Sequence, residues 1–119
     1  MTNSTIQAYA AMHAGEPLVA YQFDAGELQP HQVEVQVEYC GLCHSDVSVI
    51  NNDWGNSVYP VVAGHEIIGT ICQLGSEAKG LKLGQRVGIG WTAESCQSCD
   101  PCVGGQQVLC SGKSKATII

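Results

Sequence analysis

Val33-Glu34-Val35-Gln36-Val37-Glu38-Tyr39-Cys40-Gly41-Leu42-Cys43-His44-Ser45-Asp46 begins as a strict alternation and ends as a cluster of metal-competent side chains. Val33, Val35, Val37 and Tyr39 fall on one face, with Glu34, Gln36 and Glu38 on the other, the pattern of a half-buried strand. That strand delivers the chain to Cys40. Beyond it, Ser45 or Asp46 can cap a short helix through about Asn51, because either side chain accepts from the free amides of a first turn. Upstream, Gln7 to Met12 and Leu18 to Phe23 flank His13-Ala14-Gly15-Glu16-Pro17, which reads as a hairpin. Downstream, Ile67 to Leu74 is strand-like, Gly75 to Gly80 is a turn or loop, and Leu81 to Trp91 carries a Gly-punctuated strand containing Val87 and Ile89,. Short strands separated by glycine turns predict a mainly β barrel with short helices, not a doubly wound sheet.

The chain has 119 residues, which predicts one domain. Its charge is lopsided, with five Lys and Arg against eleven Asp and Glu. All five cations (Lys79, Lys82, Arg86, Lys113, Lys115) lie beyond residue 78. Such a surface repels phosphate backbones, so nucleic acid is not an expected partner. No apolar run approaches the ~20 residues a membrane helix needs, so no membrane partner is expected either. Met1 to Thr5 lack the character of a signal peptide, and a cytoplasmic location is the expectation. Seven cysteines is an odd number, and in a reducing compartment metal binding accounts for them better than disulfides do.

From Thr92 to Gly112 hydrophobic periodicity stops and Cys96, Cys99, Cys102 and Cys110 follow at the spacing C-x2-C-x2-C-x7-C. Two residues between ligands let a tight turn aim both sulfurs at one ion, and the longer gap lets the chain return to close a tetrahedron. Four thiolates leave no place for substrate, so the lobe, about residues 92–112, is expected to hold a structural zinc. A rubredoxin-like iron and disulfides are the competing readings. Lys113 and Lys115 follow directly and are placed to offset part of the negative charge of such a site.

The remaining candidate ligands lie in Cys40-Gly41-Leu42-Cys43-His44-Ser45-Asp46 and Gly64-His65-Glu66. Cys40-x2-Cys43 also has the spacing of a redox pair, but lacks the βαβ context of one. These segments, with Tyr59-Pro60-Val61-Val62-Ala63-Gly64-His65-Glu66-Ile67-Ile68-Gly69 and the four-cysteine lobe in this order, closely resemble the N-terminal part of zinc-dependent medium-chain alcohol dehydrogenases. The likeness is strongest to the cinnamyl-alcohol-dehydrogenase type and its bacterial aldehyde-reductase relatives, and it runs over nearly the whole chain. It implies a GroES-like β-barrel, NAD(P) as hydride carrier, and reversible oxidation of a small-molecule alcohol to an aldehyde.

Carried over residue by residue, the resemblance makes Cys43 and His65 ligands of a catalytic zinc. It makes Ser45 the hydroxyl that touches the substrate oxygen, and places His44 near the cofactor phosphates, with Asp46 and Glu66 as the carboxylates beneath the metal. Zinc of this kind lowers the pKa of the alcohol and stabilises the alkoxide from which hydride leaves. Ser45 would relay the proton outward, and capping is its alternative role. Two features depart from the family pattern. Ser48 stands where relatives commonly carry a relay histidine, so the proton is expected to leave through His44 or water. The third catalytic ligand and any Gly-x-Gly-x-x-Gly fingerprint are absent from the 119 residues, so there is no Rossmann domain in this chain.

Cys40 and Cys72 could stand in for the missing third ligand, but each sits in a strand-like stretch and is expected in the core, with Trp54 and Trp91 either in the core or lining a substrate cleft. Two functional readings follow. In one, residues 1–119 are the N-terminal catalytic-domain portion of an alcohol dehydrogenase, inactive alone and compatible with a homo-oligomer. In the other they form a stand-alone zinc-binding scaffold or interaction module. The surface discriminates: an exposed apolar patch argues for a partner domain, a polar one for independence. A tetrathiolate iron serving electron transfer is a third reading, excluded by a colourless zinc protein.

Overall fold

The computed structural model describes residues 5–118. The polar start read over Met1 to Thr5 therefore lies, Thr5 apart, outside the described residues. The fold is mainly β, as expected. Among the described residues, seven strands are joined by two short α-helices and a 3-10 turn over Gln107–Leu109: β1 Thr5–Ala10, β2 Val19–Asp24, β3 Val33–Gly41, α1 His44–Asn51, β4 Glu66–Leu74, β5 Arg86–Ile89, β6 Thr92–Glu94, α2 Asp100–Val103 and β7 Lys115–Ala116. The described strands hydrogen-bond as three antiparallel groups, β1-β2, β3-β4-β5 and β6-β7.

The expected hairpin is present, but it pairs Thr5 with Asp24 through Ala10 with Val19. Ala11 has already left the ladder and exchanges both backbone bonds with Val61, at 2.9 and 3.0 Å. This bridge ties the hairpin to the segment that leads into β4. The strand expected within Leu81 to Trp91 is β5, and it contains Val87 and Ile89. Gly84, at φ +78, turns the chain, and its N–H donates to Ile71 O at 2.9 Å, so only Arg86–Ile89 remains in the ladder.

The helix also starts differently from expectation. Cys43 occupies the N-cap position and Asp46 the third helical position. Asp46 Oδ2 reaches back to accept from the Cys43 N–H at 3.0 Å, the reverse arm of a capping box. The far end of α1 is closed by the loop that follows it. Ser57 Oγ donates to Val49 O at 2.6 Å and Tyr59 Oη to Ile50 O at 2.7 Å, satisfying carbonyls that a helix end otherwise leaves open.

The main core cluster is small: Ala11, Val49, Val61 and Ile118, with Ile50, Tyr59, Ala63 and Trp91 packed against it. It sits beneath α1, where the hairpin, the 60s segment and the chain's return after β7 meet. The half-buried strand expected over Val33 to Tyr39 is half-buried only at its start, because Val37 and Tyr39 are exposed. Cys40 and Cys72, expected in the core, are exposed as well. The reason is common to all four: nothing among the described residues covers that part of the β3–β4 sheet, and register shifts after Glu34 and Val37 break the simple alternation of faces. Cys72 Sγ turns instead to Glu34 O, at 3.4 Å.

The chain presents 8019 Å² of accessible surface, against the roughly 6,200 Å² that size scaling gives for a compact monomer of this mass. Large apolar side chains stand exposed on it, among them Leu42, Val58, Leu83, Val103 and Val108. Among the described residues no helix is long and apolar enough to cross a membrane.

Candidate metal centres

Among the described residues, two groups of potential ligands come together. The first is the lobe between β6 and β7, where the Sγ atoms of Cys96, Cys99, Cys102 and Cys110 all lie within 4.8 Å of one another. Cys96 and Cys102 are 3.9 Å apart, and so are Cys99 and Cys110. A tetrahedron of thiolates with metal–sulfur bonds of about 2.3 Å has edges of about 3.8 Å, so the donor set fits zinc.

Local backbone builds this geometry. Gln97 adopts φ 60 in the turn between the first two cysteines, and α2 carries Cys102 inward as the lobe's buried member. Gly112 lets the returning chain pass close by, since a Cβ there would lie 2.9 Å from Cys96 Sγ. Backbone N–H groups point at the sulfurs, Cys99 N to Cys96 Sγ at 3.3 Å and Cys96 N to Cys110 Sγ at 3.4 Å. Such donors favour thiolate over thiol. The backbone N–H of Cys102, followed by that of Ser111, pulls the Cys99 thiol down to about 5. Cys96 is lowered, first by the Ser98 N–H. Cys102 goes the other way, pushed up to about 11 by burial and then by its hydrogen bond to Cys99.

The second group is Cys43, Asp46 and His65. Cys43 Sγ lies 3.4 Å from His65 Nε2. A thiolate and an imidazole sharing one tetrahedral zinc have donor atoms about 3.6 Å apart, so this pair also fits. Asp46, 2 % exposed, is the hub of the group. Its Oδ2 accepts from Cys43 N–H, while Oδ1 accepts from Gly64 N–H at 2.9 Å and lies 3.2 Å from His65 Nδ1. A carboxylate only accepts, so this contact places the imidazole proton on Nδ1 and leaves the Nε2 lone pair facing the thiol, as in a carboxylate–histidine–metal triad.

Gly64 is required at its position for two reasons. Its φ is +120, and a Cβ would stand 2.8 Å from Cys40 Sγ. The backbone is thereby free to turn its N–H toward Asp46 and set His65 down beside α1.

The other residues singled out in the sequence are distributed around this centre. His44 is exposed at the first position of α1, Ser45 is half-buried next to it, and Ser48 is buried one turn further on. Glu66 stands outside the ligand group. It is exposed, and its carboxylate lies over Gly41, where a Cβ would come within 2.5 Å of Oε2. Trp91, expected either in the core or lining a cleft, packs on the core cluster, and its ring meets that of His65 at 5.0 Å between centroids. Trp54 stands edge-on to Trp91 at 6.0 Å and is half exposed. The Trp91–His65 contact had no signal in the sequence, because Trp91 sits at the end of a Gly-punctuated stretch without periodicity.

Residues 29–118 match the family described as alcohol dehydrogenase GroES-like domain. The chain is 43 % identical over 114 residues to the aldehyde reductase AdhA of Synechocystis, covering 96 % of this chain and 34 % of that protein. It is 41 % identical over 106 residues to a probable cinnamyl alcohol dehydrogenase of rice, covering 89 % and 29 %. Among solved structures it superimposes on a cinnamyl alcohol dehydrogenase from Sorghum bicolor with a TM-score of 0.87 at 36 % identity, over 97 % of this chain and 32 % of that one. An enzyme of the same name from Helicobacter pylori, complexed with NADP(H), gives 0.87 at 32 % identity, over 95 % and 32 %. The chain thus spans about a third of the length of the relatives it matches.

Proposed function

The chain belongs to the alcohol dehydrogenase GroES-like domain family, and from that membership we propose that it forms the metal-binding catalytic-domain part of a zinc-dependent NAD(P) alcohol dehydrogenase or aldehyde reductase. The observation that carries the reading is the Cys43–His65 pair, 3.4 Å apart and oriented by a buried Asp46. Two protein donors leave the rest of a coordination sphere open, as catalytic sites require and the four-cysteine lobe does not allow.

A bound zinc would supply Lewis-acid polarisation of an alcohol or carbonyl oxygen. The chain's own residues would do the rest. Asp46 fixes the tautomer of His65 and ties both ligands to one carboxylate. Ser45, on the first turn of α1, holds the proton of the reacting oxygen. The buried Ser48 cannot act as a base near neutral pH, so exposed His44 is the outlet to water and also the group placed toward the cofactor phosphates. Trp91 and Trp54 form an apolar wall beside the site. The substrate is a small alcohol or aldehyde, with NAD(P) held by a further domain of the kind that fills the rest of the relatives' length. Cysteines kept as free thiols for metal binding suit a reducing, cytoplasmic setting,. The large exposed apolar surface favours this reading over a self-sufficient scaffold.

Zinc content of the 119-residue chain tests the proposal. The expected result is one tightly held zinc in the lobe and a second, weaker one that is lost on Cys43→Ser or His65→Ala without change to the first. A second zinc that survives both substitutions overturns it. The expected turnover of an aldehyde with NADPH by this chain alone is nil. A chimera carrying these residues in place of the matching third of the Synechocystis aldehyde reductase is expected to be active, and inactive with Cys43→Ser.

A further inference from the structure

Asp46 holds His65 through a single contact of 3.2 Å at Nδ1, and rotation of the imidazole about its own side-chain bonds breaks it. The same rotation carries Nε2 away from Cys43 Sγ, which lies 3.4 Å from it. Trp91 supplies a contact that resists this rotation. The two rings meet at 5.0 Å between centroids with their planes 82° apart, the perpendicular arrangement that aromatic quadrupoles favour.

Trp91 is itself pinned on two sides. Its side chain packs against the cluster of Ala11, Val49, Val61 and Ile118. Its main chain is clamped by Thr117, whose N–H donates to Trp91 O at 2.8 Å and whose Oγ1 donates to Gly90 O at 2.7 Å. Thr117 directly follows β7, and β7 pairs with β6, which begins immediately after Trp91. The strand pair at the root of the four-cysteine lobe therefore also anchors the ring that faces His65.

We infer that Trp91 is a positioning residue for His65: by packing against the imidazole it keeps Nδ1 on Asp46, so that a single tautomer persists, and Thr117 holds Trp91 in place. The consequence for metal binding rests on Cys43 and His65 being ligands, whereas the ring geometry does not.

Long-range proton–nitrogen NMR of the full 119-residue chain at one fixed pH tests this, with the His65 signals identified by their loss in His65→Asn. Trp91→Leu fills most of the space without an aromatic ring, and Trp91→Phe keeps a ring. The native chain and Trp91→Phe are expected to show one His65 tautomer, and Trp91→Leu the averaged nitrogen shifts of an exchanging ring. Cobalt(II) at the Cys43–His65 site should bind Trp91→Leu about tenfold more weakly, in the range found when groups supporting a ligand are removed. The tetrathiolate absorption of the lobe should be unchanged. A wild-type His65 pattern in Trp91→Leu overturns the inference, and so does failure of Trp91→Phe to restore it. If Trp91→Leu loses its folded amide dispersion, Thr117→Val takes its place. It removes only the bond to Gly90 O and is expected to shift His65 in the same direction to a smaller extent, and no shift at all overturns the inference. Absence of cobalt at Cys43 in the native chain sinks the functional reading instead, and the nitrogen shifts still decide the role of Trp91.

Discussion

The two metal centres are built in opposite ways. The lobe draws four like donors from one short run, Cys96 to Cys110, and sets them by local turns and backbone N–H groups. The Cys43–His65 centre joins the N-cap of α1 to the loop before β4 through a buried carboxylate, and leans on a tryptophan from beyond β5. A closed site can be local because four ligands need only each other. An open site has to be held by its surroundings, since its own ligands do not complete it.

Removing the lobe's metal should have the largest effect and should stay local. After chelation, or in Cys102→Ser, amide exchange and proteolytic cleavage are expected to rise sharply over residues 95–112, while β3, β4 and β5 keep their protection. A lobe that retains its protection without metal breaks the contrast, because its shape would then not depend on the ion.

Chelation should also level the lobe's cysteines. The backbone donors that hold Cys99 down to about 5 and the burial that raises Cys102 to about 11 belong to the ordered lobe, so in the loosened metal-free chain the two thiols are expected to be alkylated at similar rates at pH 7, read by peptide mass analysis. A Cys99 that is still labelled much faster than Cys102 after chelation would show that the arrangement survives without the ion.

Asp46→Ala should be the most damaging single change at the second centre. It strips an acceptor from Cys43 N–H, Gly64 N–H and His65. The expected cost is about 3 kcal/mol in a denaturant titration, with a 10- to 100-fold loss of cobalt affinity confined to this centre. Loss of lobe binding in the same variant would mean that the two centres are not separable. Gly64→Ala follows at about 1–3 kcal/mol, from the φ of +120 and the crowding against Cys40 Sγ,.

Arg86→Ala is the baseline. Its ion pair with Glu38, at 3.3 Å on the open face of the sheet, is surface-exposed, and its loss is expected to shift stability by less than about 0.5 kcal/mol. A larger change would mean that the open face is stiffer than its exposure implies.

Legibility in the sequence followed the same division. The lobe could be read from spacing, since Cys-x2-Cys-x2-Cys constrains the sulfurs within a turn or two. The strands around Gln7, Val33 and Ile67 could be read from alternation, to within a few residues at their ends. What misled was the inference from apolar to buried. Val37, Tyr39, Cys40 and Cys72 have core character and lie in the open, because alternation reports which residues share a face and not whether anything covers it. The N-cap was misjudged for a related reason. Ser45 and Asp46 are both good cap residues, but the chain direction set by β3 puts Cys43 at the cap and turns Asp46 inward.

By itself, then, the sequence determined what is local: the strand and turn pattern, the four-cysteine cluster, and the identity of the side chains able to hold a metal or a proton. Only the tertiary structure decided which of these meet. It brought Cys43 to His65, made Asp46 their common anchor, left Glu66 outside, and set Trp91 against the imidazole. The physical reason is that neighbouring residues are constrained by bond geometry whatever the rest of the chain does. Residues far apart in sequence meet only where the packing of β3, α1, β4 and the returning segment at Thr117 and Ile118 brings them together.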